Sequence, residues 1–294
     1  MVLVLYWQHM IGHTRIFLDS GNPTETKRAL GMLGQLDGQT TNPSLVAKNP
    51  EIKVQEGEMS ESELLDAYKK IIQDIHQQIP DGDISIEVYA DKSSSAQSMV
   101  DQARAFSQWI PNPFIKLPIT RSGLEAAEIL SGEGVNINMT LCFSPEQALA
   151  VHGATKGAEK GQVVVSPFVG RLDDFGICGI SLVETIGSLY KGLDSHVHVL
   201  AASLRNIDHF YACITMGVDI ITSPLKHISS WYEKGAELPE GYEYTHAPDS
   251  ELVNVEYASD DTQQAWQYFD IQHDLTDKGL QKFADDWNTL IKRP

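Results

Sequence analysis

Eight short apolar runs alternate with helical segments along the chain, and this alternation constrains the fold more than any other feature. Apolar continuity of this kind is typical of parallel strands buried on both faces. An open doubly wound sheet usually has a glycine-rich phosphate turn after its first strand, and Asp19 to Pro23 is not such a turn. The pattern therefore predicts an α/β fold, a single (β/α)8 TIM barrel domain over residues 1–294. The predicted strands are 16–19, 39–41, 84–88, 114–117, 135–141, 163–166, 197–201 and 219–221.

Three segments lie outside the predicted barrel. Residues 1–14 open with an apolar stretch that lacks a basic n-region and a cleavage site, so we interpret them as an N-terminal extension or an extra strand rather than a signal peptide. Residues 231–273 follow the last strand as a loop-rich, acidic and aromatic insert. Residues 274–294 contain an amphipathic C-terminal helix, from about Thr276 to Ile291, which we expect to pack across the barrel or against a neighbouring subunit.

The charge balance limits the partners that the chain can bind. Its net charge of -18 argues against binding to nucleic acid or an anionic membrane, because the field of the protein repels phosphate. No apolar run approaches the length of a membrane span. An anionic substrate must therefore meet a local basic cluster. The three cysteines have no metal-ligand spacing and are interpreted as buried thiols of a cytoplasmic protein.

Lys116 is a cation inside a short apolar run that is predicted to be a buried strand. Burying an ammonium without a partner is unfavourable, so such a lysine tends to react as the neutral amine. The neutral amine is the form that attacks a carbonyl to make a Schiff base. Taken alone, Lys116 is better explained as a strand-end lysine that reaches to water. The polar residues at the ends of the other strands favour the reactive amine instead.

Polar side chains recur at the carboxyl ends of the predicted strands, where the βα loops of a barrel carry its chemistry. A period of two lets them point inward while their neighbours pack outward. Each has an ordinary explanation when taken alone: Asp19 could cap a helix, Asn42 could belong to a turn, and Arg171 could pair with Asp173 or Asp174. Their coincidence on seven strands favours a site. The residues are Asp19, Thr40, Thr41, Asn42, Glu87, Lys116, Asn138, Thr140, Ser166, Arg171, Ser203 and Arg205.

Six sequence blocks, in order, resemble one known family. They are Thr40-Thr-Asn-Pro-Ser-Leu45, Ser85-Ile-Glu-Val88, Ile115-Lys-Leu-Pro-Ile-Thr120, Asn136-Ile-Asn-Met-Thr-Leu141, Ser166-Pro-Phe-Val-Gly-Arg171 and Ala202-Ser-Leu-Arg-Asn206. By these motifs the chain resembles the transaldolase family, which forms Schiff bases and is related to the fructose-6-phosphate aldolases. Residues 274–287 also resemble the terminal helix of that family.

The resemblance implies a transaldolase of the non-oxidative pentose phosphate pathway, located in the cytoplasm. Such an enzyme moves a dihydroxyacetone unit from a ketose phosphate, sedoheptulose 7-phosphate or fructose 6-phosphate, to an aldose phosphate, glyceraldehyde 3-phosphate or erythrose 4-phosphate. It needs no cofactor and no metal. The partners implied are sugar phosphates, and a homo-oligomer is left open.

The resemblance also implies roles for the candidate residues. Lys116 forms the imine, Asp19 removes the hydroxyl proton as the carbon–carbon bond breaks, and Glu87 with Thr140 holds a water that moves protons. Asn42 and Asn138 bind the hydroxyls of the dihydroxyacetone unit, and Arg171, Ser203 and Arg205 hold the distal phosphate, because guanidinium groups suit phosphate oxygens. The remaining candidates for substrate binding are Thr40, Ser166 and Phe168.

Three other functions compete with transfer. A fructose-6-phosphate aldolase, which releases free dihydroxyacetone, usually has glutamine and tyrosine where this chain has Glu87 and Phe168, so the transfer branch is favoured. A catalytically silent barrel would bind sugar phosphate, or bind a protein through the aromatic insert. A metal-dependent aldolase is disfavoured, because His196 and His198 form the only alternating histidine pair and no carboxylate completes a site beside them.

Overall fold

Eight parallel strands close into a barrel in the computed structural model, which describes residues 13–245, 251–257 and 261–292. Each strand pairs with the next in sequence, and the first pairs with the eighth to close the ring. The strands are β1 (Arg15–Asp19), β2 (Gly38–Thr40), β3 (Asp83–Glu87), β4 (Phe114–Pro118), β5 (Asn136–Cys142), β6 (Val163–Pro167), β7 (His198–Ala201) and β8 (Ile220–Ser223). The predicted (β/α)8 barrel is confirmed. The apolar stretch Met1 to Trp7, predicted as an extension or extra strand, lies outside the described residues.

Helices connect the strands, and most of them begin at a side chain that caps their free N–H groups. Ser60 and Glu63, for example, form a complete capping box at the start of the longest helix. The α-helices of the described ranges are α1 (Pro23–Leu33), α2 (Pro43–Ala47), α3 (Pro50–Lys53), α4 (Glu61–Gln78), α5 (Ala96–Phe106), α6 (Arg121–Gly132), α7 (Pro145–Ala154), α8 (Val169–Asp173), α9 (Gly179–Gly192), α10 (Ile207–Met216), α11 (Leu225–Glu233) and α12 (Asp274–Asn288).

The pleat of the strands directs apolar side chains toward the helices and polar side chains toward the barrel axis. Ile115 and Leu117 on β4 are fully buried and alternate with Lys116, so they face the surrounding helices while Lys116 faces the barrel axis. The register then aligns three polar side chains on neighbouring strands, because Glu87 pairs with Lys116 and Lys116 pairs with Asn138. A period of two and a parallel register are therefore enough to bring these groups together.

The C-terminal helix α12 packs against α2 and β5, at the carboxyl end of the barrel. It begins at Asp274 and ends at Asn288, so the prediction of a helix reaching Ile291 was three residues too long. The chain leaves the helix because Ile291 forms a bridge with Met59, and the N–H of Lys292 donates to the carbonyl of Met59. This pairing ties the end of the chain to the segment before α4.

The segment after β8 differs at its start from the predicted insert at residues 231–273. Helix α11 continues to Glu233, and its Trp231 is fully buried in the core, so residues 231–233 belong to the barrel and not to a loop. The described residues between α11 and α12 are mostly irregular, with one short 3-10 helix at Trp266–Tyr268. A bridge between Ile177 and Val253 attaches this segment to the barrel. Within the described ranges, no helix has the length and apolarity needed to cross a bilayer.

Candidate active site

Lys116 lies in the interior of the barrel beside an acidic partner. Its Nζ is 3.0 Å from Oε2 of Glu87, and both side chains are 4% exposed. The ammonium also donates weakly, at 3.4 Å, to the carbonyl of Thr41, which follows β2. The ring of Phe283 on α12 covers it from the other side, with 5.9 Å between Nζ and the ring centroid. The alternative explanation, a strand-end lysine that reaches to water, does not apply, because Lys116 is enclosed by protein.

Two carboxyl groups share the field of this one cation. Burial raises the pKa of the Asp19 carboxyl, and the charge of Lys116 and the hydrogen bond from Thr40 oppose that rise only in part. Burial also raises the pKa of Glu87, against the attraction of Lys116, and the charge of Asp19 adds to the rise. Both acids are thus closer to accepting a proton than exposed acids are. This property suits groups that exchange protons during a reaction.

Asp19 is held in place by hydroxyl groups from the neighbouring strands. Thr40 Oγ1 on β2 donates to Asp19 Oδ1 at 2.7 Å and lies 2.6 Å from Thr222 Oγ1 on β8. Because Asp19 accepts a side-chain hydrogen bond from Thr40 at the end of β1, its oxygens point into the barrel and do not cap helix α1, which is capped by Asn22. Thr222 was not among the predicted site residues. Its only signal was its position near the carboxyl end of β8.

Asn138 and Thr140 both point inward from β5 and differ in how they are bonded. The Asn138 amide donates to Ser85 Oγ at 3.0 Å and accepts from Ser166 Oγ at 2.7 Å, so its orientation is fixed by two strands. The Thr140 hydroxyl is fully buried and has no hydrogen-bond partner among the described residues. An unpaired buried hydroxyl is unusual, and a water or substrate atom would satisfy it. Ser85 was not predicted, although it lies two residues before Glu87 and therefore on the same face of β3.

Asn42 has a structural role as the N-cap of helix α2, in line with the turn that the sequence offered as its ordinary explanation. Its Oδ1 accepts from the N–H of Leu45 at 2.9 Å and caps helix α2, which starts at Pro43. The side chain is nevertheless buried at the carboxyl end of β2, with its amide nitrogen free of any bond within the described residues. The cap orients the amide group, and the Nδ2 hydrogens stay available to a ligand.

The candidates for phosphate binding come together at the ends of β6 and β7. A Cβ at Gly170 would lie 2.1 Å from Arg205 Cγ and 2.6 Å from the carbonyl of Ser203, so only glycine allows the two loops to approach this closely. The Gly170 N–H donates to that carbonyl at 3.0 Å. Ser203 adopts a left-handed conformation, with φ of 59°. The loop of Arg205 is therefore packed directly on helix α8, which carries Arg171.

The two arginines differ in their ion pairs. Arg205 is about half exposed and pairs with Asp174 at 2.6 Å. Asp173 lies 2.9 Å from Nε2 of His209. Arg171 therefore pairs with neither aspartate, and within the described residues it forms no ion pair. Its guanidinium group is the one more readily available to an anion.

Aromatic side chains form a wall beside the polar site. The rings of Phe168 and Phe143 meet edge to face, with centroids 5.6 Å apart. Phe143 stacks on His273, the residue that caps α12, at 5.3 Å. Phe168 has no hydroxyl to offer as a proton donor. Neither Phe143 nor Phe283 was predicted for the site, since a lone phenylalanine carries no signal of its own in the sequence.

The alternating histidines do not form a metal site. His196 Nε2 lies 2.9 Å from Thr155 Oγ1, outside the barrel, and His198 begins β7 at the end opposite to Lys116. Across the described part of the chain, no cluster of three His, Cys, Asp or Glu side chains has the geometry of a metal site. All three cysteines are buried free thiols.

Comparisons with known proteins identify the family of the chain. The model of the family "Transaldolase/Fructose-6-phosphate aldolase" matches residues 16–293. A protein named "Probable transaldolase" from Dehalococcoides mccartyi is 36% identical over 278 residues, covering 95% of this chain and 100% of the relative. Proteins of the same name from Caulobacter sp. and Cereibacter sphaeroides are 33% and 37% identical, each over 93% of this chain and 96% and 95% of the relative. The chain belongs to the transaldolase and fructose-6-phosphate aldolase family, as the sequence motifs predicted.

Proposed function

We propose that this protein is a transaldolase that transfers a dihydroxyacetone unit between sugar phosphates through a Schiff base on Lys116. The observation that carries the proposal is the enclosed pair of Lys116 and Glu87, 3.0 Å apart on adjacent strands. An amine in this position can lose its proton to a carboxyl whose pKa is already raised by burial, and it then attacks a ketone.

Imine formation requires two proton transfers that Glu87 and Thr140 can support. Attack by the amine on the ketone gives a carbinolamine, and water leaves as the imine forms. A water held between the Glu87 carboxyl and the unpaired Thr140 hydroxyl delivers the proton that the departing oxygen needs. General acid–base help of this kind typically accelerates a step by about 10²–10⁴-fold.

Cleavage of the carbon–carbon bond is assigned to Asp19. The imine withdraws electrons from the carbon–carbon bond that breaks. The carbon leaving with the aldose carries a hydroxyl, which loses its proton to Asp19. That carbon becomes the aldehyde of an aldose phosphate, which leaves. The hydrogen bond from Thr40 holds the Asp19 carboxylate in one orientation. An enamine of dihydroxyacetone stays on Lys116, with its hydroxyls bound by Asn42 and Asn138. Ser85 and Ser166 support this binding because they fix the Asn138 amide.

The phosphate of the donor and of the acceptor is assigned to Arg171, Ser203 and Arg205. These residues come from helix α8 and from the loop after β7, which Gly170 lets pack together. They place positive charge at the carboxyl end of a barrel in a protein with a net charge of -18. Planar guanidinium groups can bind two phosphate oxygens at once. Sugar phosphates are therefore the substrate class that we assign, with no cofactor or metal in any step.

Transfer is favoured over release because the aromatic wall beside the enamine offers no proton donor. Phe168 carries no hydroxyl, and it packs on Phe143, which carries none either. The enamine therefore persists until an acceptor aldehyde enters and is attacked. Release of free dihydroxyacetone, the aldolase alternative, is expected only as a slow side reaction.

Two measurements test this function. Incubation with fructose 6-phosphate followed by borohydride should fix the three-carbon unit on Lys116 as a stable secondary amine, detectable by peptide mass. A coupled assay with and without erythrose 4-phosphate or glyceraldehyde 3-phosphate should show turnover that depends on the acceptor. A protein that forms no adduct and turns over no ketose phosphate would be a silent barrel. Turnover that ignores the acceptor would indicate an aldolase.

A further inference from the structure

The phenyl ring of Phe283 covers the reactive amine from a helix that lies far away in the sequence. Its centroid is 5.9 Å from Lys116 Nζ, and the two residues are 9% and 3% exposed. The ring therefore stands between the amine and the solvent beyond α12. An aromatic ring at this place offers neither a donor nor an acceptor to water along its edge.

The first half of α12 is fixed to the end of β5 by a buried hydrogen-bond network. Thr276 Oγ1 donates to the carbonyl of Leu141 at 2.9 Å and accepts from Gln147 Nε2 at 2.8 Å. Gln147 Nε2 also donates to the carbonyl of Ile271 at 3.0 Å, and Gln147 Oε1 accepts from the N–H of Phe143 at 2.7 Å. Gln147 and Thr276 are at most 2% exposed, so breaking these bonds would leave buried polar groups unsatisfied.

Close packing adds to this attachment. A Cβ at Gly279 would lie 2.6 Å from Leu141 Cδ2, so the glycine lets α12 approach the strand end. Leu141 itself has φ of +63°, a left-handed conformation that a leucine rarely adopts. A strained residue of this kind persists only where its surroundings over-determine it. The bonds and contacts from α12 meet that condition at Leu141.

The second half of α12 is attached to the opposite side of the barrel mouth. Ser44 on α2 donates to the carboxylate of Asp286, which also pairs with Lys282 at 3.0 Å. Trp287 meets the ring of Tyr68 edge to face at 5.7 Å. Phe283 lies between these two attachments, so its ring is held over Lys116 by contacts on both sides.

We propose that Phe283 is a specificity-determining residue that keeps solvent away from the enamine on Lys116 and so favours transfer over release. The proposal rests on the function proposed above. Transfer and release share the same enamine and the same final step, in which water adds to the imine carbon, the carbon–nitrogen bond breaks and Lys116 is regenerated. They differ in what bonds to the nucleophilic enamine carbon. In transfer that carbon attacks an aldehyde, whereas in release it takes a proton that comes from water.

The position of Phe283 matches this difference. The water shared by both routes is assigned to the buried side, between Glu87 and Thr140, and Phe283 does not displace it. The ring covers Lys116 on the side of α12, where bulk water would otherwise enter. Phe168 lacks a proton donor of its own, and Phe283 limits proton delivery by the solvent. The two phenylalanines therefore act on the same step by different means.

The test compares Phe283→Ala with a matched control on the same helix. Leu280→Ala removes a side chain of similar burial, 4% exposed, one turn earlier on α12. The ratio of dihydroxyacetone release without acceptor to transfer with erythrose 4-phosphate is measured for both variants and the wild type. We expect about a tenfold or greater rise for Phe283→Ala, which corresponds to about 1.4 kcal/mol between the two barriers, and less than about a twofold change for Leu280→Ala.

A second variant covers the case in which Phe283→Ala does not fold. Phe283→Leu keeps an apolar side chain but is smaller, and it should raise the ratio in the same direction by a smaller factor. Thr276→Val removes the hydroxyl that anchors α12 and should also raise the ratio. An unchanged ratio in folded Phe283 variants overturns the inference. If the wild type forms no borohydride adduct on Lys116, the proposed function fails instead, so the two failures are distinguishable.

Discussion

Lys116 Nζ and Glu87 Oε2 lie 3.0 Å apart on two paired strands, and both side chains are enclosed by the barrel. A third ionisable group, Asp19, shares their field, so one cation faces two acids whose pKa values are raised by burial. A proton moving from the amine to Glu87 would neutralise both members of the pair. Under the proposed function, this transfer would supply the nucleophilic amine without leaving an unpaired charge in the barrel interior.

Replacing Lys116 with methionine should abolish turnover and borohydride trapping while leaving the fold intact. The unbranched methionine fills similar space, and loss of the Lys116 charge removes the main influence that opposes the rise in the pKa of Glu87 caused by burial, which favours the neutral carboxyl. We therefore expect the melting temperature to change by less than about 2 °C, equivalent to roughly 1 kcal/mol in a domain of this size. Turnover with fructose 6-phosphate that matched the wild type would contradict a covalent mechanism at this residue.

Glu87→Gln should slow imine formation while preserving substrate binding. The amide keeps the shape of the side chain but cannot accept the proton of Lys116, so kcat should fall by about 10²–10⁴-fold. KM for fructose 6-phosphate should change much less. Single-turnover formation of the adduct measures the step directly, and Glu133→Gln, which makes the same change in a surface ion pair with Arg104, serves as the control. An adduct formed at the wild-type rate would remove Glu87 from this step.

Phe168→Tyr should raise the release of free dihydroxyacetone relative to transfer. The new hydroxyl would place a proton donor in the wall beside the enamine, where none exists now. Phe143→Tyr is the matched control, since its ring touches Phe168 at 5.6 Å and gains the same hydroxyl in the second position of the wall. We expect the ratio of release to transfer to rise in the first variant and to stay near the wild-type value in the control. Equal rises in both would show that position 168 has no special role.

The inward-facing polar residues could be predicted from the sequence because their placement depends on local rules. A strand of period two and a parallel register align Glu87, Lys116 and Asn138 wherever eight strands close in sequence order. The same rules position Ser85 and Thr222, which were overlooked because a serine or threonine in a strand has many ordinary explanations. Local pattern and fold topology together therefore account for the polar half of the site.

The apolar half of the site could not be predicted, because it depends on how a distant helix docks. Phe283 covers Lys116 only because Thr276 meets Leu141 at one side of the mouth and Asp286 meets Ser44 at the other. Nothing in the local pattern of α12 specifies which of its apolar residues faces an amine on β4. The length of α12 was also overestimated, since pairing with Met59 ends the helix before its amphipathic pattern ends.

Arg205 should contribute selectively to the binding of phosphorylated substrates. Arg205→Gln should raise KM for erythrose 4-phosphate by about 10–100-fold, the range expected for losing a charged hydrogen bond of about 1.5–3 kcal/mol. KM for a non-phosphorylated acceptor such as glyceraldehyde should be unaffected. Arg104→Gln, which breaks a surface pair with Glu133, is the control. Equal effects on both kinds of acceptor would argue against phosphate binding by Arg205.

Asp174→Asn should change KM in the direction opposite to Arg205→Gln. Asp174 pairs with Arg205 at 2.6 Å and competes with any phosphate for it. Removing the carboxylate charge should therefore lower KM for erythrose 4-phosphate while kcat stays near its wild-type value. Measuring KM at two salt concentrations checks the electrostatic origin, because screening should reduce the difference. A higher KM in this variant would mean that Asp174 positions Arg205 instead of competing for it.

His227 on α11 should make the protein less stable as the pH falls from about 6.5 to about 4. Burial, together with the charge of Lys226, lowers the pKa of His227 to about 4 from its ordinary value of 6.5, and its Nε2 lacks a hydrogen-bond partner among the described residues. In this pH window the unfolded chain binds a proton at this position that the folded protein excludes. The free energy of unfolding therefore falls with decreasing pH, by at most about 1.4 kcal/mol per pH unit for this one proton. Above pH 6.5 the imidazole is neutral in both states and contributes no slope. Urea unfolding at pH 7, 5.5 and 4.5 should show a shallower decline for His227→Gln than for the wild type, and identical slopes would mean that this imidazole is freely protonated in the native state.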